Sequence, residues 1–257
     1  MLNHRNIVIV FTLIFILLIS LNYSYTFHWM LYLIPLVAFF SIEFYGAYFV
    51  NSGFHIEAIC EVNTNENSVA LSFDDGPMPI RTEKVLTVLK KFNAKATFFL
   101  IGNRIKGNES LLLKMDNEGH LMGNHSFSHS FFFDLMSSKQ LISDLQYGNN
   151  EIQRVIGKTP LFFRPPYGVT TPGLAKACRH LKFDVIGWNV RSLDTSIKNK
   201  EQLLQRVKQR IKPGSIILFH DTVDGIDLVL EDVLNYLKEK NYTVIPLDKL
   251  IQKNAYS

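Results

Sequence analysis

The 257-residue chain is 47% hydrophobic, enough for one sizeable core of α/β-barrel dimensions, which excludes a disordered or fibrous protein. Its 27 Lys and Arg against 23 Asp and Glu leave a formal charge of +4 without a block of five like charges, so no nucleic-acid partner is expected. The two cysteines, Cys60 and Cys178, have no C-x-x-C or other metal spacing and argue for neither a disulfide framework nor a zinc knuckle.

Charge is unevenly spread, since residues 1–53 contain only Arg5 and Glu43. The spacing predicts two membrane-spanning helices, about 7–22 and 29–50, joined by a tight loop at 22–28 and flanked by Tyr23, Tyr25, Trp29, Tyr45 and Tyr48. A cleaved signal peptide competes for the first run, but the residues after Leu21 offer no small-residue cleavage site. Glu43 falls near the end of the second run, where an interfacial position suits a carboxylate better than the bilayer centre. Two spans would place the N-terminus and the following domain on one side, and with Arg5 as the sole basic residue before Arg81, charge does not choose which side. Residues 1–53 are therefore read as a membrane anchor, 54–67 as a polar linker and 68–257 as the catalytic domain.

Within that domain, short apolar or β-branched runs at 68–73, 96–101, 161–163, 183–188, 215–219 and 243–246 predict strands, with Leu121-Met122 as a further short one. Helical patterns at 82–92, 109–117, 139–156, 172–181, 200–211 and 228–238 separate them. The alternation predicts βα units on a parallel sheet, open or closed as a barrel. The unusual polar clusters all follow predicted strands: Asp74-Asp75, His125 with His129, Arg164 to Tyr167, Asp194, and His220-Asp221. In parallel α/β folds that edge is where ligand sites are built.

Asp74 and Asp75 are neighbours on an extended strand and should face opposite ways, so two different tasks are expected of them. His125 and His129 stand at i and i+4, which on a helix shares one face and suits a zinc-type ion completed by a carboxylate from elsewhere. Arg164-Pro165-Pro166-Tyr167-Gly168 is a stiff turn able to hold an arginine beside a carboxylate and to present a backbone N–H to an oxyanion. His220 ends a strand as a candidate general acid or a satisfied core residue. His120 is expected to be a structural histidine, and at least two rings of Phe131-Phe132-Phe133 are expected to be buried, the run otherwise bordering a groove.

The ordered set SFDDGP, HSFSH, RPPYG, WNVRSLD and ILFHD, spread over roughly 68–250, resembles the NodB-type polysaccharide deacetylase family, which includes chitin and peptidoglycan deacetylases. The resemblance implies a distorted (β/α) barrel and a divalent metal, usually zinc, on Asp75, His125 and His129. It implies Asp74 as general base toward the attacking water, oriented by Arg164, with the Tyr167 backbone N–H stabilising the oxyanion. His220 would protonate the departing amine, oriented by Asp194, while Leu218 and Trp188 wall the acetyl pocket and Pro166 joins the substrate-binding set. The family's fourth motif often reads D-x-x-D-W, whereas here Arg191 and Thr195 replace the first acid and the tryptophan, so a reshaped groove is expected.

The resulting expectation is a membrane-anchored, metal-dependent hydrolase removing N-acetyl groups from a GlcNAc-containing polysaccharide, its domain facing the cell wall or periplasm. An O-acetyl esterase on the same site, a domain facing the cytoplasm, and a catalytically silent carbohydrate-binding or assembly protein are the alternatives.

Overall fold

An apolar segment without water must satisfy its own backbone, and a helix does so internally. A computed structural model describes residues 3–257 and shows two such helices at the N-terminus. The first, α1 (His4–Ser24), is capped by the Asn3 side chain accepting from the Asn6 N–H, and its 21 residues reach about 31 Å, the thickness of a bilayer core. The second begins as a 3₁₀ turn, Trp29–Tyr32, and continues as α2 (Leu33–Tyr48), with Pro35 tolerated in the first turn. Each is long and apolar enough to cross a membrane by length and composition, and most of its apolar side chains are exposed.

The rest alternates strand and helix in chain order: β1 (Ser68–Gly76), α3 (Pro79–Lys91), β2 (Ala96–Leu100), α4 (Glu109–Asn117), β3 (Leu121–Asn124), α5 (Ser138–Ile156), β4 (Phe162–Phe163), α6 (Pro172–Leu181), β5 (Asp184–Val185), β6 (Val190–Arg191), α7 (Lys200–Lys208), β7 (Ile216–His220), α8 (Ile226–Glu239), β8 (Thr243–Val244) and α9 (Leu247–Ile251). The main sheet runs β5-β4-β3-β2-β1-β7-β6, every pair parallel, with β8 branching from β1. Its two edge strands, β5 and β6, are consecutive in the chain. The five peptide steps from Val185 to Val190 span at most about 18 Å, so the sheet must curl back on itself as a distorted barrel.

The strand expected at 183–188 is thus shortened to Asp184–Val185, and β6 at Val190–Arg191 lies just beyond it as a further strand that was not expected. Residues 54–67, expected as a linker, run against the gap between β5 and β6 instead of away from the domain. Ile59 bridges Ile186 in parallel, Glu61 bridges Ser215, and the Val62 N–H donates to Gly214 O at 2.9 Å. The helical hairpin is docked as well. The Thr170 N–H donates to Ala47 O at 2.9 Å, and the His4 N–H to Phe54 O at 3.1 Å. A Cβ on Gly46 would sit 2.2 Å from the Phe54 ring, so that approach requires glycine.

Strand parity explains how the barrel separates core from site. Val69, Leu71 and Phe73 of β1 point toward the helices, where Phe73 stacks on Phe98 and Phe219 with centroids 5.1 and 5.8 Å apart. The alternate residues Ser72 and Asp74 face inward, and on β7 so do Leu218 and His220, paired in register as Ser72 with Leu218 and Asp74 with His220. An apolar strand with polar residues on one parity at its C-terminal end therefore makes a core and a site at once.

Candidate active site and metal centre

Arg164 stands at the centre of the barrel, fully buried, and every hydrogen bond it makes serves to fix it. Its Nη1 donates to Asp74 Oδ1 at 2.8 Å and to Ser72 Oγ at 2.9 Å, Nη2 to Gly187 O at 2.8 Å and Nε to Ile186 O at 3.2 Å. The guanidinium lies 4.1 Å from the Phe99 ring centroid and 5.6 Å from that of Trp188. An unpaired buried guanidinium would be prohibitive, so this network locks the Asp74 carboxylate in place. Burial pushes the Asp74 carboxyl above the ordinary carboxylate range, opposed by the positive charges of Arg164 and His220.

The second oxygen of Asp74 faces a different group, with Oδ2 4.0 Å from His125 Nε2. Asp75 Oδ1 lies 3.6 Å from His125 Nε2 and 3.3 Å from His129 Nε2. A tetrahedral ion with ligand bonds of 2.0–2.1 Å requires ligand atoms about 3.4 Å apart, so the spacing fits a zinc-type cation. The donor set fits too. His125 Nδ1–H donates to Arg164 O at 2.7 Å, which leaves Nε2 with its lone pair toward the cluster. Burial, with Asp75 opposing it, lowers the His125 pKa to about 3 and keeps the ring neutral, as a ligand must be.

His125 and His129 share no helix. They bracket an irregular loop in which Ser126 and His129 have φ of 67° and 44°, and it is this turn that brings the rings to 5.0 Å. Asp144 of α5 holds the loop by accepting from the N–H groups of Phe127 and Ser128 at 2.8 and 3.1 Å, while Asn124 Oδ1 accepts from the Ser126 N–H at 2.7 Å. Asp75 is also left-handed, at φ 73°, and Arg104 Nη1 donates to its carbonyl. With Tyr167 at 59° and Leu193 at 64°, five of nine non-glycine residues of positive φ among the described residues lie in or beside the site. Such conformations persist only where the surroundings over-determine them, as in sites that hold geometry against strain.

Across the mouth, His220 Nδ1–H donates to Asp194 Oδ1 at 2.7 Å, and the His220 backbone N–H donates to Asp194 Oδ2 at 2.7 Å. Burial pulls the His220 pKa down, but the hydrogen bond and charge of Asp194, reinforced by Asp74 and Asp75, outweigh it and hold the ring at about 9. Asp194 is 1% exposed, so the dyad works largely shielded from water.

The remaining expected residues fall nearby. Leu218 is buried beside Ser72 in register, and Pro166 is buried in the stiff turn. Trp188 is half-buried against that turn, where a Cβ on Gly168, itself at φ 72°, would lie 2.6 Å from the indole. Tyr167 is largely exposed, its ring edge-on to His129 at 4.9 Å. Of the three consecutive phenylalanines, Phe133 alone is buried. Phe131 and Phe132 are 80% and 63% exposed because the 3₁₀ turn Phe133–Leu135 turns only the last ring into the core, contrary to the expectation of two buried rings. His120 is a core histidine, its Nδ1 accepting from the Ala96 N–H at 3.2 Å. The sequence reading gave no role to Ser72, although it opens the SFDDGP motif, and missed Arg104, Asn124 and Asp144, which brace the site from outside the quoted motifs. Asp144, one helix on, carried no local signal at all.

This geometry has known counterparts. The profile of the polysaccharide deacetylase family matches residues 61–186. A peptidoglycan-N-acetylmuramic acid deacetylase of Bacillus subtilis is 34% identical over 195 residues, covering 74% of this chain and 73% of the relative. The crystal structure of the Bc1960 peptidoglycan N-acetylglucosamine deacetylase superposes with a TM-score of 0.73 at 30% identity, covering 77% of this chain and 94% of that one. A family 4 acetyl xylan esterase from Clostridium thermocellum, in complex with a cobalt ion, gives a TM-score of 0.65 at 34% identity over 72% of this chain and 90% of its own. The chain belongs to the polysaccharide deacetylase family, and its barrel is a hydrolase fold of that family.

Proposed function

We propose that this protein hydrolyses the N-acetyl group of GlcNAc-type sugars in a cell-wall polysaccharide, with zinc held by Asp75, His125 and His129. One observation carries the reading. A locked carboxylate, Asp74, stands between a metal-ligand triad on one side and a carboxylate-held histidine across the barrel mouth. The relatives' activity on peptidoglycan amino sugars supports the substrate class.

The residues divide the work of amide hydrolysis. Asp75, His125 and His129 would hold a divalent cation, which when bound would supply a more acidic water and a polarised acetyl carbonyl. Asp74, fixed by Arg164, accepts the proton as water oxygen bonds to the carbonyl carbon, its raised pKa suiting it as a base. The Tyr167 backbone N–H donates to the oxygen that gains charge, from a turn that two prolines and Gly168 stiffen. His220 gives its Nε2 proton to the nitrogen as the C–N bond breaks, because an amide anion is too poor a leaving group. Acetate and a free amine result, and Asp74 and His220 exchange their protons with solvent. Leu218, Trp188 and Pro166 wall the acetyl pocket, and the surface around Arg191 and Thr195 shapes the sugar subsite.

The helical hairpin serves as a membrane anchor in this reading. Antiparallel spans put residue 4 and the domain on one face, and a wall substrate places that face outside. Ester hydrolysis on the same site is the second reading, favoured by the likeness to the acetyl xylan esterase. Acetate release from N-acetylglucosamine oligomers, purified peptidoglycan and acetylated xylan tests all of this, run with zinc, with chelator and with Asp74→Asn. Release from the amino sugars that requires both metal and Asp74 supports the proposal. Release from xylan alone transfers the site to esters, and no release on any substrate returns weight to a silent binding protein.

A further inference from the structure

We propose a second divalent-cation site, built by His4, Glu43 and His55 where the helical hairpin meets the catalytic domain. The three residues come from separate places: the first residue of α1, the last third of α2, and the connector beyond it. His4 Nδ1 lies 2.9 Å from Glu43 Oε1, and His55 Nε2 lies 3.7 Å from Glu43 Oε2. One ligand atom from each falls within 4.8 Å of the others. These separations straddle the roughly 3.4 Å edge of a tetrahedral zinc-type site, so an ion could enter with small side-chain shifts.

The chemistry of the cluster favours such an ion over a purely structural contact. His55 is 2% exposed at its side chain, yet its Nδ1 is buried with no hydrogen-bond partner among the described residues. The imidazole is thus held by packing and by one carboxylate, with its Nε2 facing that carboxylate. Glu43 carries the sole acidic side chain of residues 1–53, and two imidazoles converge on it. His4 opens α1, whose N-terminal dipole opposes a cation, while Glu43 lies more than a turn inside α2, so it is the Glu43 charge that attracts the ion. Imidazole and carboxylate together select a borderline divalent ion, zinc or cobalt, over calcium or magnesium.

Such an ion would clasp both ends of the hairpin to the connector. The same junction carries the His4 N–H to Phe54 O bond and the Ala47 O bond from Thr170, which follows the Tyr167 turn two residues after Gly168. A fastened hairpin would hold the catalytic turn at a fixed place relative to the membrane face. The ion's role here is to position the domain and does not touch the reacting atoms.

The test counts metal in the full-length chain, purified in detergent, stripped with chelator and dialysed against zinc. Wild type is expected to hold two equivalents, Asp75→Ala one, and Asp75→Ala combined with His55→Gln none. Because His55 is buried and its variant could misfold, His4→Gln at a partly exposed position provides a second route: it should weaken the equivalent retained by Asp75→Ala at least tenfold. Cobalt substituted into Asp75→Ala should give visible absorption of a tetrahedral centre that His4→Gln removes. A single equivalent in wild type, lost wholly in Asp75→Ala, would overturn the second site and leave His4, Glu43 and His55 as a hydrogen-bonded clasp. An equivalent in Asp75→Ala that survives both His4→Gln and His55→Gln would overturn it as well.

Discussion

Two histidines on opposite sides of one barrel mouth have been pushed in opposite directions. His125, buried, is driven down to about 3 and His220, partly buried, up to about 9, although both lie near Asp74 and Asp75. What differs is the group that holds Nδ1–H: a backbone carbonyl at His125, a carboxylate at His220. A neutral dipole cannot offset the loss of water for a charged ring, whereas a carboxylate at 2.7 Å can. In the proposed function the same side chain serves as a metal ligand on one side and a proton donor on the other, and the acceptor at Nδ1 separates the two roles.

The largest effect should come from destroying the metal side. Asp75→Ala or His125→Ala is expected to lower kcat by roughly 10⁴-fold or more, since without the ion the nucleophile reverts toward bulk water. Single-turnover acetate release beside metal content at the same sample checks this. Loss of activity with the metal content of wild type fully retained would break the assignment. Damage to the proton side should be smaller and should leave the metal in place. His220→Gln and Asp74→Asn are each expected to cost about 10²–10⁴-fold in kcat. A sharper comparison is available between substrates: His220→Gln should harm amide hydrolysis more than hydrolysis of an aryl acetate, whose leaving group needs no proton.

Asp194→Asn addresses the contrast directly. His220 acts only when protonated, so wild-type activity should fall as pH rises through about 9. Asp74 acts only when ionised, and its pKa is raised, so activity should also fall on the acid side, above the ordinary carboxylate range near 3.9. Removing the Asp194 charge lets the ring relax toward 6.5, moving the alkaline limb down while the acid limb stays. At pH 8 that corresponds to about a 30-fold loss, shrinking as pH is lowered. A variant whose alkaline limb remained near 9 would show that the ring is not the group titrating there.

Much of this contrast was legible in the sequence, and the reason is physical. Strands of a parallel barrel must be apolar, so Asp74, Asp75, Arg164 and His220 at their C-terminal ends stand out against Leu71, Phe73, Phe163 and Phe219. The helices, too, announced themselves by their periodicity, and 109–117 and 172–181 fall where expected. What stayed hidden were contacts made by the backbone or across the chain. The carbonyls of Ile186 and Gly187 that clamp Arg164 have no side-chain signature. Val190–Arg191 is too short to show periodicity, so β6 was not expected. The His125 loop looked helical by spacing because i and i+4 cannot reveal a left-handed Ser126. His4, Glu43 and His55 were invisible together because 39 residues separate the first two.

Asp144 sharpens the metal side from behind. Its carboxylate accepts both N–H groups of the loop carrying His129, and Asp144→Ala leaves them to water. Groups that orient ligands typically account for 10–100-fold in affinity, so zinc should bind that much more weakly, with activity restored at saturating metal. Competition with a chelator of known affinity reads the shift, and unaltered affinity would make Asp144 a folding residue only.

The smallest expected effect lies at the rim, where Phe131 and Phe132 pack edge-to-face with centroids 5.1 Å apart and mostly open to water. Exposed rings contribute little to the fold, so replacing both by Ser should barely change Tm. Two and three residues beyond His129, they would, in the proposed function, cover sugar faces that extend past the acetylated unit. If each ring loses about 25 Å² to a bound sugar, the pair contributes roughly 1.3 kcal/mol, close to tenfold in KM. The effect should appear with a long oligomer and vanish with a dimer too short to reach the rings, kcat being unchanged in both. An equal rise in KM for both lengths would place the rings at the reacting sugar itself, and an unchanged KM for the long oligomer would remove them from the groove.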